Sequence, residues 1–261
     1  MDAFLDSIQA MGFDVKVAIT DGSPLYKEAL IERWQGLEHQ LCVFHVIKEI
    51  NALVLQALRQ LRVKLPKPKK YRRGRPSKRG RKRKKDTRRK FVQEHQHLLV
   101  KREDRWTDED RANWQQLVEY IPEAAVLRDF VNRTFSLFEP GITKQTASQR
   151  RRRLVDDPRY QNFPDLVKAI RKLSKEKFAK MITFLGWSNV DRTNNHVERN
   201  NRIFRFVQKT RYKRRRRHTI LQALWLHILL RWRRHPFYDL NAERLAGPYM
   251  IGPSQAEERA A

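Results

Sequence analysis

The window Thr193-Asn194-Asn195-His196-Val197-Glu198-Arg199-Asn200-Asn201-Arg202-Ile203-Phe204-Arg205 sets one carboxylate among amides and arginines. At about 100° per residue, a helix through it gathers Asn194, Glu198, Asn201 and Arg205 into one narrow sector. Val197, Ile203, Phe204, Phe206 and Val207 spread over the other side. A helix that buries one flank and shows an acid beside amide and guanidinium groups suits a metal ion held next to a phosphate. The same spacing also fits an ordinary Glu–Arg pair on a solvated face. Both readings stay open on this window alone.

A second acid stands far upstream. Val15 to Asp21 reads VKVAITD, and Gly22, Ser23 and Pro24 follow at once. A β-branched apolar run that ends in turn residues predicts a strand with Asp21 at its tip. In open α/β sheets, chemistry gathers at the carboxyl ends of strands. A structural aspartate in a turn is the other reading. Ser23 and Pro24 predict the start of a helix that Gly36 closes.

The chain has 261 residues, with 57 Lys and Arg against 29 Asp and Glu, a net charge of +28. No fold requires such a surplus; it predicts a polyanionic partner, most simply nucleic acid, with an anionic membrane surface as the rival. One cysteine, Cys42, excludes an intrachain disulfide framework and a four-thiolate zinc site. The first residues, MDAFLDSIQAMGF, carry acids where a signal peptide has basic residues. The longest apolar run, Ile220 to Trp232, is interrupted by Gln222, His227 and Arg231. It falls short of the roughly 20 residues a membrane span needs and is expected to be a buried helix. These features predict a cytoplasmic, nucleoid-associated protein with no membrane partner.

The elements that must position the two acids follow from periodicity. Asp2 to Met11 predicts a short helix before the Asp21 strand, and His39 to Val43 a second strand. Val46, Ile47, Ile50, Leu53, Val54, Ala57, Leu58 and Leu61 keep a 3.6-residue period and predict a long amphipathic helix. Arg62 to Lys90 holds 18 Lys or Arg against one acid, Asp86. Such a segment repels itself and has nothing to bury, which predicts disorder until it is bound. Within it, Arg73-Gly74-Arg75-Pro76 resembles an AT-hook core, whose arginines enter a narrow A·T-rich minor groove. Ser77 departs from the usual basic residue, and a linker that touches phosphates without base preference is the alternative. Phe91 to Leu185 reads as helices: one opens at Thr107 with the stripe Trp114, Leu117, Val118 and Ile121, and others span Ala124 to Phe138 and Phe163 to Leu173. Arg150 to Arg153 reads as a solvated or phosphate-facing patch. Gly186 to Arg192 is expected to be a loop, and the tail beyond Pro236 to fray.

Taken together, Asp21-Gly22 at a strand end, Cys42-Val43-Phe44-His45, a long helical region and the TNNHVERNNR window resemble DDE-type transposases with a ribonuclease H-like core, in insertion-sequence or Mutator-like style. The resemblance spans roughly residues 1 to 235. It implies that Asp21 is the second catalytic acid and Glu198 the third, both metal ligands for Mg²⁺ or Mn²⁺. Cys42, His45, Asn194, Asn195, Asn201 and Arg202 would support the site, unless Cys42 and His45 are simply structural. Arg73, Gly74, Arg75 and Pro76, with Arg205, Lys209, Arg214 and Arg215, are the DNA-contact candidates. The implied activity is hydrolysis at a transposon end, followed by attack of the freed 3′-hydroxyl on target DNA, in a possible homo-oligomer. Zinc on His39, Cys42 and His45 lacks a clear fourth ligand. A non-catalytic basic DNA-binding protein and a nuclease on the same core are the alternatives.

The expected fold is therefore α/β by parentage but mostly α-helical: an incomplete ribonuclease H-like core with a large helical insertion and a disordered basic loop. The expected divisions are a partial core at 1–61, the basic linker at 62–90, the helical insertion at 91–190, the rest of the core at 191–238 and a tail at 239–261. Asp2, Asp6 and Asp14 follow no apolar strand run, so the first acid of such a core is not recognisable. The chain is accordingly expected to be a C-terminal piece of a transposase, inactive alone.

Overall fold

The structure, a computed structural model, describes residues 2–10, 12, 14–23, 27–67, 86–195, 197–199, 201–202, 205, 218–219, 222 and 226. The described elements are mostly helical. The chain divides into two compact units. One comprises Met1–Val15, Glu32–Trp34 and Asn195–Ala261; the other comprises Lys16–Ile31 and Gln35–Asn194.

The larger unit contains β1 (Val17–Thr20) and β2 (Glu38–Leu41), paired in parallel with Val17 opposite Glu38 and Thr20 opposite Leu41. Parallel neighbours need a crossover, and α2 (Lys27–Arg33) lies between them in sequence. The start of that helix, at Pro24, is outside the described residues. β2 ends at Leu41, two residues before the expected Val43. Cys42 is the N-cap of α3 (Val43–Lys64), so it and Val43 open a helix rather than close a strand.

α3 runs for 22 residues, about 33 Å at 1.5 Å per residue. Its apolar stripe is the one the periodicity marks: Ile50, Val54, Ala57, Leu58 and Leu61 are buried. They join a core built with α4 (Arg88–His95), α5 (Asp108–Tyr120), α6 (Ala124–Ser136), α7 (Lys144–Val155), α8 (Pro164–Lys172) and α9 (Lys175–Met181). The basic segment expected to be disordered over 62–90 is helical at both edges, since α3 continues to Lys64 and α4 starts at Arg88. Arg89 joins those edges by donating to the carbonyls of Leu65 and Val63.

Buried polar groups lock the helices to one another. Gln40, at 0 % exposure, donates to the carbonyls of Met181 (2.8 Å) and Leu41 (2.7 Å) and accepts from the Phe184 amide (2.9 Å), which fixes the segment after α9 against β2. Gln60 of α3 donates to the buried Asp165 of α8 at 2.9 Å. Arg128, buried on α6, donates to the carbonyls of Leu98 and Leu99 and lies over the Trp106 ring. α5 opens on a capping box in which Thr107 Oγ1 accepts the Asp110 amide and Asp110 accepts the Thr107 amide.

In the smaller unit, α1 spans Asp2–Ala10, buries Leu5, and receives an ion pair from Arg33 to Asp6 at 2.9 Å. The described residues between 195 and 205 are helical. Two expectations fail in this unit. Val197, assigned to a buried flank, is 58 % exposed. Leu226, assigned to a buried helix, is helical but 60 % exposed. Ile203, Phe204, Phe206, Val207 and the rest of the 220–232 run lie outside the described residues, as does the tail.

Candidate functional site

Asp21 follows β1 directly and is exposed. Three local bonds set its backbone. Its Oδ1 accepts the Ser23 amide at 3.0 Å, closing an Asx turn. Thr20 Oγ1 accepts the Gly22 amide at 3.2 Å and lies 2.7 Å from His39 Nε2 on the neighbouring strand. Gly22 itself has φ +89, and a Cβ there would sit 3.1 Å from Leu41 Cδ2. Glycine is required at this turn for two reasons, the left-handed backbone and the close approach of Leu41.

Cys42 is the joint of the larger unit. Its amide donates to the Thr20 carbonyl at 2.8 Å, carrying the β1–β2 ladder one step further. Its thiol, 1 % exposed with its residue, donates to Asn194 Oδ1 at 3.0 Å, and its sulfur accepts the Asn194 amide at 3.4 Å. The next amide, on Val43, donates to the Arg192 carbonyl at 3.0 Å. The Arg192 guanidinium in turn donates to the Phe138 carbonyl at 2.8 Å. The first N–H groups of a helix need partners from outside it. Here the segment 192–194 supplies one for α3, while Cys42 makes no side-chain cap. His45 lies in the first turn of α3, half-buried, with its ring edge-on to that of the exposed Phe44.

The expected site residues are thus partly brought together. Asp21, Cys42, His45 and Asn194 belong to the larger unit, and Asn195, Glu198, Asn201, Arg202 and Arg205 to the smaller one. In the latter, Glu198 is half-buried while Asn201, Arg202 and Arg205 are exposed. Arg73, Gly74, Arg75, Pro76, Lys209, Arg214 and Arg215 lie outside the described residues. The residue types at 21 and 198 suit a hard divalent cation, which prefers carboxylate oxygen. They fit in kind but not in number. Among the described residues no group of three or more His, Cys, Asp or Glu side chains could hold an ion. The sequence names Cys42 and Asn194 but gives no sign that they bond to each other. Arg192 carries no signal for its hold on α3, because that part is played by its main-chain carbonyl.

A family model described as a transposase, of the ISL3 type of DDE enzymes, matches residues 1–216. No curated protein and no solved structure matches the chain. The chain belongs to this DDE transposase family, and its function is that of a transposase, acting in DNA transposition and so in recombination. The match does not extend to a Mutator-like relationship. No helix among the described residues is long and apolar enough to cross a membrane.

Proposed function

We propose that Asp21 and Glu198 are the second and third acids of a ribonuclease H-like catalytic core, which cuts DNA at a transposon end and joins the freed 3′-hydroxyl to a target. The bridge made by Cys42 carries this reading. Asp21 follows Thr20, whose carbonyl accepts the Cys42 amide, and the Cys42 thiol bonds to Asn194. Glu198 comes four residues after Asn194 in the sequence. Within the larger unit, one buried residue, Cys42, therefore holds both the end of the strand that Asp21 follows, through its amide, and Asn194, through its thiol. A carboxylate just past the end of a parallel strand also stands where α/β sheets place their chemistry.

In this reading Asp21 and Glu198 would hold Mg²⁺ or Mn²⁺, with a further carboxylate needed to complete the set. Ions held there would supply an activated water or 3′-hydroxyl and would stabilise the leaving oxygen of an in-line displacement. The Ser23 amide, bonded to Asp21 Oδ1 at 3.0 Å, orients that carboxylate. No side chain is required as a covalent nucleophile. Residues 1–61 and 191–238 would form the core, with 91–190 inserted between its parts, 62–90 as a basic DNA-contacting linker and 239–261 as a tail. Arg202, Arg205, Lys209, Arg214 and Arg215 would follow the DNA backbone. The protein would act in the cytoplasm on nucleoid DNA, as a homo-oligomer that pairs two transposon ends.

Iron-directed cleavage tests the pairing without relying on turnover. Fe²⁺ takes oxygen ligands, and with ascorbate and peroxide it cuts the polypeptide beside its site. The expected result is two cuts, near residue 21 and near residue 198, both suppressed by excess Mg²⁺. Both are lost in Asp21→Asn and in Glu198→Gln. A cut at one acid that survives substitution of the other would overturn the shared site.

A further inference from the structure

Several arginines of the helical insertion are consumed internally. Arg128 caps two carbonyls, Arg133 and Arg159 bind Asp157, and Arg150 binds the Ser136 carbonyl and Glu139. Arg151 donates to the Leu173 carbonyl and lies against the Phe178 ring. A different set of polar and basic side chains stands on the outer half of α7. Lys144, Gln145, Ser148, Gln149, Arg152 and Arg153 are all exposed and, at about 100° per residue, share one half of that helix. The inner half is Ala147 and Leu154, both fully buried. No acid stands on the outer face. The nearest in sequence, Asp156, follows at the C-cap.

Helix electrostatics account for only part of this pattern. Arg152 and Arg153 in the last turn favour the negative end of the macrodipole, but Lys144 stands at the first helical position, where a cation is disfavoured. The first turn of α7 holds no acid to offset it. A helix selected for its own stability would reverse that arrangement. Cations at both ends, joined by hydroxyl and amide side chains, instead suit a ligand whose negative charge is continuous along its length. Lys144 and Arg152 are about 12 Å apart along the axis. Duplex DNA presents one negative charge per about 1.7 Å of its axis, so it can engage both ends of the helix at once. Gln145 and Gln149 add neutral donors of the kind that contact phosphate oxygens, whereas the Ser148 hydroxyl donates to the Lys144 carbonyl.

The helix is also tied to the Asp21 end of its unit. Phe138, five residues before the Thr143 cap, accepts from Arg192, whose carbonyl holds the first amide of α3. Lys144 lies over Gly186, next to the segment that Gln40 fixes to β2.

We propose that the outer face of α7 binds the phosphate backbone of the DNA that flanks the site at Asp21, without reading its sequence. The identity of the polyanion rests on the transposase reading; the face itself does not. Binding of the full chain to a mixed-sequence duplex, in EDTA across a salt series, tests it. In Lys144→Ala/Arg152→Ala/Arg153→Ala the slope of log affinity against log salt is expected to fall in magnitude by about 2 to 3, since each neutralised phosphate contributes about 0.9. Arg152→Gln/Arg153→Gln leaves the packed side of α7 intact, and a fall of about 2 is expected should the triple variant fail to fold. A photocrosslinker on Gln149→Cys, with Cys42 buried, is expected to capture the duplex, and one on Glu119→Cys of α5 is not. An unchanged slope, or equal capture from both positions, would overturn the proposal. Because the DNA is uncut and no metal is present, this result is independent of whether Asp21 and Glu198 share an ion.

Discussion

At the residue scale, Cys42 does more than fill space. Its thiol and sulfur make two bonds to Asn194, and its amide extends the ladder from β1. Cys42→Ala keeps the backbone bond and removes both side-chain bonds, leaving Asn194 Oδ1 without its donor. Loss of a buried hydrogen bond together with a small cavity should cost about 1–3 kcal/mol in a urea titration. Cys42→Ser keeps a donor but shortens its reach, so it should cost less than alanine. Asn194→Ala should cost a similar amount, and the double variant Cys42→Ala/Asn194→Ala should cost clearly less than the two singles together, because both remove one interaction. Full additivity would show that the pair does not couple. The pair explains what was legible at this scale. The Asp21-Gly22 turn is visible in the sequence, because a β-branched run, an acid and a glycine are local signals. The Cys42–Asn194 bond is not, since neither residue type announces a partner 152 positions away.

At the element scale, legibility tracks apolar periodicity. α3 and α5 are marked by apolar stripes, and Ile50, Val54, Ala57, Leu58 and Leu61 of the first and Leu117 and Ile121 of the second enter the core, while Val118 stays half-buried. β2 reads two residues too long because Cys42 and Val43 look like more strand. The helix that replaces them has no Ser, Thr, Asp or Asn at its cap, and its first amide is satisfied by the distant Arg192 carbonyl. α7 is hidden for a different reason: of its 12 residues only Ala147 and Leu154 are buried, too few to set a period. α5 is the reverse case, with a start signal that also titrates. Asp110 accepts from Lys101 at 2.6 Å and from the Thr107 amide, and these bonds hold its pKa down to about 2, against an ordinary value of 3.8. A carboxyl depressed in the folded state adds stability that is complete above its unfolded pKa and is lost as pH falls through the folded one. Asp110→Asn should therefore be less stable than the parent above about pH 4. That gap should close as pH drops towards about 2. Urea midpoints of both proteins between pH 2 and 6 measure it; a gap constant with pH would place the effect in packing rather than charge.

At the scale of the whole molecule, charge decides more than shape. Residues 68–85 hold 12 Lys or Arg and no acid, and they contribute accordingly to the net +28. α3 ends at Lys64 and α4 starts at Arg88, so a neutral Gly/Ser segment of equal length can replace residues 68–85 without changing a residue of either helix. Counterion release predicts that this replacement lowers the salt slope of DNA binding well beyond the effect of the α7 variant, because more phosphates lose their partners. The same stretch separates the two readings of Arg73-Gly74-Arg75-Pro76. Arginines that enter a narrow minor groove should bind A·T-rich duplex more tightly than G·C-rich duplex at equal salt. Arg73→Ala/Arg75→Ala should then abolish the preference while lowering the slope by only about 2, the cost of two phosphate-side charges. Equal affinity for the two duplexes in the parent would leave these arginines as phosphate contacts alone. Selection of the DNA end would then have to come from elsewhere in the transposase, since contacts to phosphate position a protein without reading sequence.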